Sequence, residues 1–537
     1  MFDPLFHNDY YFSGFVSALI VTIILLKPLS TLVIRITELD FLFVSFISYY
    51  VFNICNQTAT VVTPYDFYFL CCYVLIYFAI KFFQDHASSQ QIRSLIIALL
   101  IIFVGEVAIE LLQFFGIGKG KNSFFNVSGS FISPAVLTNF LCIAFPLLNN
   151  FLKDKGLLAW SHVLFLTLCL ACFLTDSKLS WLVVGVLLLL KATPYLTRYP
   201  KISYGSLGVV FLCIILAILF QDSTSGRFLV LENSLSLWQE HFFAGVGVNQ
   251  FERVYNLFQA DFISKHANPE YSYFASYIEV AYNDFLQIAI EMGFFGLVLM
   301  GLVAFVMVRN FKRYPSYIRE ALIVIFLVAF FSFPFQTSST ATLCVVYLGI
   351  ASSFHEPVKQ FYIHPTVVKM LCTLSLGIVM VLSFNIQNAL YVWQLSGKNP
   401  DVLTQSRFES ARYVLTNNKN FQLAYGNMLF LRKKSHESIN VLEKLSAQSS
   451  KIDIFLLLAL NYEAIADTSA AERNFRKSIS LVPSLLRPKF LLMKFYLKNR
   501  RLQEAKAIAT IITTSRIKVK TMEATKLVQM ANEVLKL

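Results

Sequence analysis

The chain is short of charge. Asp, Glu, Lys and Arg make up 14% of its 537 residues, where a soluble globular protein carries roughly 25%. Apolar residues fill the gap: 56% of the chain, with 53 Phe and a mean hydropathy of +0.60. They fall in blocks of about 20, the length that crosses a bilayer as a helix. An ordinary soluble enzyme is therefore excluded, and no nucleic-acid partner is expected. A disulfide or metal framework is also missing. The nine Cys lie nearly all within apolar blocks, and none falls in residues 221–275 or 401–537. Cysteine in such a block packs as a small hydrophobe. A cleavable leader is missing too. The first apolar run ends at Lys27-Pro28 without a small-residue cleavage site, so it is expected to serve as a signal anchor.

What is present predicts an all-α fold: a polytopic helical membrane protein followed by a helical tail. Hydropathy and charged breaks predict about twelve spans, near 12–27, 40–54, 66–83, 94–115, 132–149, 161–175, 179–194, 203–220, 288–308, 320–335, 338–354 and 367–386. Residues 1–390 are then the membrane domain, 391–400 a linker and 401–537 a soluble tail. Residues 221–287 form one large loop between spans.

Lys and Arg orient the spans. Alternate loops carry Lys27 and Arg35, Lys81 and Arg93, Lys153 and Lys155, Lys191, Arg198 and Lys201, Arg309, Lys312, Arg313 and Arg319, then Lys359 and Lys369. The opposite loops hold only Lys119, Lys121, Lys178, Arg227, Arg253 and Lys265. The richer side is expected to be cytoplasmic. The 221–287 loop, both termini and the tail are then extracytoplasmic.

The tail is basic, with 23 Lys and Arg against 11 Asp and Glu over 401–537. That suits an anionic lipid surface or an acidic glycan, or simply a solvated face. It is also repetitive. Phe455-x2-Leu458-Ala459-x2-Tyr462 is followed by Ala471-x3-Phe475-x2-Ser478-x4-Pro483. This is the spacing of tetratricopeptide repeats, two helices per unit of about 34 residues. Weaker copies stand at Tyr425-Gly426, Leu429, Ser438 and Leu442, and at Leu492, Tyr496 and Ala505. The segment after Ser515 is expected to cap the solenoid.

Positive residues on the poorer side are the first binding candidates. Arg227 directly follows the eighth span; its planar fork can grip phosphate oxygens, or merely sit at the interface. Lys119 and Lys121 lie in Gly-x-Gly-Lys-Gly-Lys, and Lys178 sits in a short break between spans. Gly245-x-Gly247 lacks the strand–turn–helix context of a dinucleotide site, and a tight turn before the Phe251 helix explains it. Glu106, Glu110 and Gln113 fall inside the fourth span, where acids are either functional or contacts between helices. Polar residues at Glu279, Asn283, Gln287 and Glu291 form one stripe. That stripe predicts a re-entrant or interfacial helix facing a pocket.

Four motifs in order resemble the O-antigen ligase and polymerase superfamily, with its related protein O-oligosaccharyltransferases. They are Ser128-Gly129-Ser130-Phe131-Ile132-Ser133-Pro134; Thr175-Asp176-Ser177-Lys178; Gly245-Val246-Gly247 with Phe251; and Tyr282-Asn283-Asp284-Phe285-Leu286-Gln287 leading to Glu291-Met292-Gly293-Phe294-Phe295-Gly296-Leu297. The resemblance spans residues from about 100 to 355. It implies transfer of a glycan from an undecaprenyl-diphosphate carrier to a lipid-core, glycan or protein acceptor, at a bacterial inner membrane. Arg227, Lys178, Lys119 and Lys121 would then bind the diphosphate, with Tyr282, Asn283 and His266 as catalytic candidates. Gly245, Gly247, Gln287, Glu291, Gly293 and Gly296 would shape the motif.

Two departures stand out. Lys178 replaces the family's usual Arg, keeping charge but losing the bidentate fork. Tyr282 replaces its usual His, and a phenol with a pKa of about 10 is a poor base at neutral pH. His266, in the same loop, is a substitute candidate. No Asp-x-Asp motif is present; the nearest is Glu38-x-Asp40, on the expected cytoplasmic side. Neither a catalytic metal nor a cofactor is expected. Ligase, polymerase and protein oligosaccharyltransferase differ in acceptor and are not separated by these motifs. A lipid-glycan transporter and an inactive scaffold with a partner-binding tail are the non-enzyme alternatives.

Overall fold

A computed structural model describes residues 13–22 (apart from 15 and 19), 32–57, 62–86, 89–120, 125–196, 222–266, 268–398, 403–518 and 521–537. Half of the first expected span, the whole of the eighth (203–220) and Lys121 lie outside the described residues. The fold is helical, as expected, with one two-stranded antiparallel sheet that the sequence pattern did not reveal. Strand β1 (Leu32–Ile36) pairs with β2 (Lys359–Ile363), Leu32 opposite Ile363. The eight described cysteines are free.

Among the described residues nine α-helices follow β1: α1 (Glu38–Cys55), α2 (Tyr68–His86), α3 (Ser89–Phe114), α4 (Pro134–Asp154), α5 (Leu158–Thr175), α6 (Lys178–Leu196), α7 (Asp222–Glu240), α8 (Phe251–His266) and α9 (Pro269–Phe274). Then come α10 (Asp284–Arg309), α11 (Ser316–Phe331), α12 (Ser338–Ser353) and, after β2, α13 (Pro365–Lys398). Among the described residues seven helices are long and apolar enough to cross a membrane: α1, a span ending in α2, then α3, α4, α5, α10 and α13. The segment Lys178–Leu190 of α6 and the whole of α12 are shorter apolar helices. Helix α4 is central. It packs against α3, α5, α6, α11 and α12, and buries Leu137, Phe140, Leu141 and Phe145 completely.

One end of the bundle is locked by Asp40. Thr37 caps α1 in a reciprocal box with Asp40. The same carboxylate accepts from the Tyr77 hydroxyl at 2.7 Å and the Ser352 hydroxyl at 2.9 Å, and pairs with Lys81. The nearest approach to an Asp-x-Asp motif is thus consumed in joining α1, α2 and α12. The sheet, Arg309 and Arg313 lie at this end, and Arg309 pairs with Glu38. The opposite end of α1 is about 27 Å away, at 1.5 Å per residue.

The tail is a run of helices: α14 (Leu403–Arg412), α15 (Lys419–Leu431), α16 (Ser435–Ser446), α17 (Ile452–Ala464), α18 (Thr468–Leu481), α19 (Leu486–Lys498), α20 (Leu502–Thr514) and α21 (Met522–Lys536), with α15 to α21 each packed on the next and α14 joined to α15 through Phe408 and Phe421. Small residues permit close approach. A Cβ on Gly426 would lie 2.7 Å from Leu442, and Ser438 donates to the Gly426 carbonyl. The stretch expected as a linker differs. Helix α13 continues through it to Lys398 and packs against α14, because Leu390 and Ile386 join a cluster with Phe408, Phe421 and Tyr425.

The tail docks on the large loop. Helix α8 packs against α18, and Leu257 and Ala260 of α8 sit against a tail core containing Leu442 and Leu458. Glu252 is the anchor. Its carboxylate, 8% exposed, meets Lys419 Nζ at 2.7 Å, the Ser450 N–H at 2.9 Å and the Ser449 hydroxyl at 3.1 Å. Burial pushes this carboxyl up, but Lys419 and the Ser450 N–H outweigh it and hold the pKa below the ordinary value. The contribution to docking is therefore complete above the unfolded value of about 4.3 and is lost as pH falls through the lowered folded value. Glu252→Ala leaves Lys419 unpaired and is expected to cost about 3 kcal/mol. Hydrogen exchange should then accelerate at Ser449–Lys451 while the bundle core stays protected.

Candidate functional site

The third and fourth motifs form one structural unit. Helix α10 breaks at Gly293, whose φ of 64° and ψ of −160° are open essentially only to glycine. The Gly245–Gly247 loop fits into the break. Val246 and Gly247 donate N–H groups to the Ile290 and Glu291 carbonyls at 2.8 and 3.0 Å, and Phe294 donates to Phe242 O at 2.7 Å. The Tyr49 hydroxyl takes the Met292 carbonyl at 3.0 Å. The approach is so close that a Cβ on Gly245 would lie 2.4 Å from Glu291 O, and one on Gly293 2.2 Å from Phe243 O. Gly296 continues the requirement, since its Cβ would meet Met292. The Gly-x-Gly is therefore more than a turn before the Phe251 helix: it satisfies the backbone of a broken membrane helix.

The expected polar stripe is also redistributed. Residues 275–283 are not helical, and α10 starts at Asp284 with Asn283 as its cap, accepting from the Leu286 N–H at 2.9 Å. Gln287 and Glu291 share a helix face and a 3.3 Å hydrogen bond. Gln287 also takes the Ala281 N–H, and Glu291 the Phe251 N–H. Glu279 lies off the helix, exposed, 3.6 Å from Lys451 of the tail. Asp284, buried, accepts from the Phe335 N–H at 2.7 Å and so ties α10 to the α11–α12 turn.

Arg227 and Tyr282 are brought together. Arg227 is exposed on α7, with its guanidinium 5.5 Å from the Tyr282 ring centre, and no carboxylate pairs with it among the described residues. Tyr282 has a positive φ of 54° and sets its ring edge-on to Phe333. Burial pushes its phenol above the ordinary pKa, and the Arg227 charge pulls the other way without reversing the shift. At neutral pH this side chain is a hydrogen-bond donor and no base. His266 is not part of the pair. It sits exposed at the end of α8, stacked on Phe262 and bonded to the Phe262 carbonyl.

The first two motifs brace the same region. Glu106 accepts from the Ser130 N–H, and Gln113 from the Ser128 and Gly129 N–H groups at 2.8 and 2.9 Å. Gly129 has a φ of 58° and packs against the Glu106 carboxylate. Glu110 is buried with both carboxylate oxygens unpaired in the structure. Asp176, with φ 50°, ends α5. Ser177 accepts from Thr138 at 3.1 Å, and the next residue of α4, Asn139, donates to Ser332 in the α11–α12 turn. Phe333 of that turn then meets Tyr282. Lys178 is exposed in the first turn of α6 and Lys119 is exposed in the loop after α3. Neither makes a recorded contact with Arg227 or Tyr282.

A polar cavity of about 470 Å³ opens where these elements end. Gln287 and Glu291 form part of its wall, with Gln57, Asp66, Gln250 and Gln336 from neighbouring bundle and loop segments. The far wall comes from the tail, including Asn418, Lys419, Asn420 and Lys451. The tail residues carry no motif, so nothing in the sequence marked them; Glu252 lay hidden because one acid among several in the 221–287 loop reads as solvated. Among the described residues no group of His, Cys, Asp and Glu is arranged to hold a metal ion.

Helices long and apolar enough to cross a membrane, one of them broken at Gly293, define a multi-pass membrane protein with a polar cavity. Within it, residues 163–301 match the family model described as O-Antigen ligase. The match takes in Thr175–Lys178 and both glycine motifs, and leaves out Ser128–Pro134. It supports a membrane glycosyltransferase-like ligase or polymerase. Among curated proteins, none matches the chain.

Two glycine substitutions separate the break from ordinary helix. Gly293→Ala is expected to cost about 3 kcal/mol or more, from strain and collision with Phe243. Gly301→Ala, where a Cβ meets open space, is expected to stay within about 1 kcal/mol of wild type or gain stability. Thermal unfolding of the detergent-purified proteins checks both.

Proposed function

We propose that the protein transfers a glycan from an undecaprenyl-diphosphate carrier to an acceptor hydroxyl, as an O-antigen ligase-like enzyme of the bacterial inner membrane. The observation that carries this reading is the family match over 163–301, which includes the helix break that sets Gln287 and Glu291 in the cavity wall. The tail, with its tetratricopeptide spacing, is read as an extracytoplasmic α-solenoid on the same side as the large loop.

In the reaction, the acceptor oxygen attacks the anomeric carbon and the bond to the diphosphate oxygen breaks. The electron pair leaves with the diphosphate on its lipid. Arg227, exposed and without a carboxylate partner, is suited to the charge that grows there, and preorganised cations of this kind are worth several kcal/mol in a transition state. Lys178 and Lys119 are exposed and are assigned to draw the donor to the surface; Lys121 shares that assignment. Tyr282, protonated at neutral pH, orients the diphosphate or acceptor by donating a hydrogen bond. Glu279, exposed and three positions before Tyr282, is the carboxylate assigned to receive the acceptor proton. Asn283 caps α10 and His266 lies apart, so neither is given a catalytic role.

Glycan profiles of a deletion strain test the reading. Accumulated unligated lipid-linked glycan is the expected result. Single-repeat chains would point to a polymerase, and glycan trapped inside the cell to a flippase. Arg227→Ala should lower transfer by roughly 10²–10³-fold. Transfer at the wild-type rate in that variant would remove the diphosphate role.

A further inference from the structure

We infer that the tail completes a binding subsite for an uncharged, hydroxyl-rich segment of carbohydrate, in the cavity it shares with Gln287 and Glu291. The assignment rests on the glycan-transfer reading and adds what the tail is for. The cavity's volume, about 470 Å³, falls within the roughly 300–1,000 Å³ usual for small-molecule sites. Its lining is the chemistry that sugars require. Carbohydrate hydroxyls donate and accept, and side-chain amides and carboxylates together do the same. Gln57 and Gln250 supply amides from the bundle and loop, and Asn418 and Asn420 supply them from the tail.

Charge argues against the diphosphate as occupant. Four carboxylates line the cavity, Asp66, Glu252, Glu279 and Glu291, against two ammonium groups, Lys419 and Lys451. Both are already committed: Lys419 to Glu252 at 2.7 Å, Lys451 to Asn420 at 2.7 Å and to Glu279 at 3.6 Å. A phosphate would meet net negative charge, whereas a neutral sugar would not. Arg227, 5.5 Å from the Tyr282 ring centre, has no carboxylate partner among the described residues and does not line the cavity. Glu279 lines the cavity three positions before Tyr282 in the chain, so the sugar subsite adjoins the assigned diphosphate position.

The tail's wall is held rigidly. Asn418 caps α15 through the Phe421 N–H at 2.9 Å. Glu252 binds Lys419 and the Ser449–Ser450 turn together. Asn420 accepts from Lys451 through its carbonyl oxygen, and its amide nitrogen donates no hydrogen bond within the described structure. That nitrogen is available to a ligand hydroxyl.

The test titrates full-length, detergent-purified protein with two probes. One is the host's own envelope oligosaccharide released from its carrier by mild acid, and the other is inorganic pyrophosphate. Asn420→Trp fills the cavity at an exposed position. It is expected to weaken oligosaccharide binding about tenfold or more, a loss equal to a few hydrogen bonds, while pyrophosphate binding is retained. Lys451→Gln, which adds no bulk, is expected to weaken it about threefold by the same arithmetic. Lys536→Ala, at the far end of the tail, should bind as wild type. Wild-type oligosaccharide affinity in both cavity variants overturns the subsite, as does a wild-type protein that binds no oligosaccharide. Binding is scored without turnover, so an unchanged glycan profile in the deletion strain would fell the transfer reading alone.

Discussion

The structure depends on a helix that breaks inside an apolar bundle without leaving its backbone unsatisfied. In hydrocarbon each unpaired N–H or C=O costs several kcal/mol. At Gly293 the interruption strands three carbonyls and an N–H, and each is met: by Val246, Gly247, the Tyr49 hydroxyl and the Phe242 carbonyl. This accounting explains why the two glycine motifs occur together. The loop must come within backbone contact of the break, and only a chain without side chains at Gly245 and Gly293 can do so. From that joint the other features follow. The break turns Gln287 and Glu291 toward the cavity, and the loop carries α8 away to meet the tail.

The second constraint is the buried Glu252. A carboxylate removed from water is tolerated only when paired and hydrogen-bonded, and Lys419, Ser449 and Ser450 of the tail supply that pairing. The loop and the tail are thus interdependent. The tail's basic character is partly spent here and at Lys451, Arg516 and Lys518, which face Glu279, Glu270 and Ser276. A net positive charge that in the sequence suggested an acidic partner is, in the fold, partly the complement of the protein's own loop.

Much of the membrane part was legible. Seven expected spans correspond to long apolar helices because hydropathy is a local property, summed over about 20 residues. The helical tail was legible for a similar reason: Tyr462 and Ala471 recur 34 residues on as Tyr496 and Ala505, the spacing of a helical hairpin. The β1–β2 pair was not, because five-residue strands from loops over 300 residues apart leave no periodic signal. Helix α13 runs into the expected 391–400 linker as far as Lys398, a continuation decided by packing of Leu390 and Ile386 against the tail and not visible in composition. In the site, Arg227 and Tyr282 were both singled out. Their contact was not, since nothing in the spacing of positions 227 and 282 brings them within 5.5 Å. The stripe ending at Glu291 misled because a period of four describes a helix only where the chain is helical, and Tyr282 with its positive φ interrupts it.

The sequence by itself determined that this is a helical membrane protein with a motif-bearing loop and a repetitive basic tail. Those properties follow from composition and short-range periodicity, which need no knowledge of neighbours. Tertiary structure decided which residues share a site. It set Gly245 against Gly293 and Arg227 beside Tyr282, and it closed the polar cavity with tail residues more than 100 positions beyond the motif. Burial and pairing are properties of contacts between distant segments, and only the folded chain specifies those.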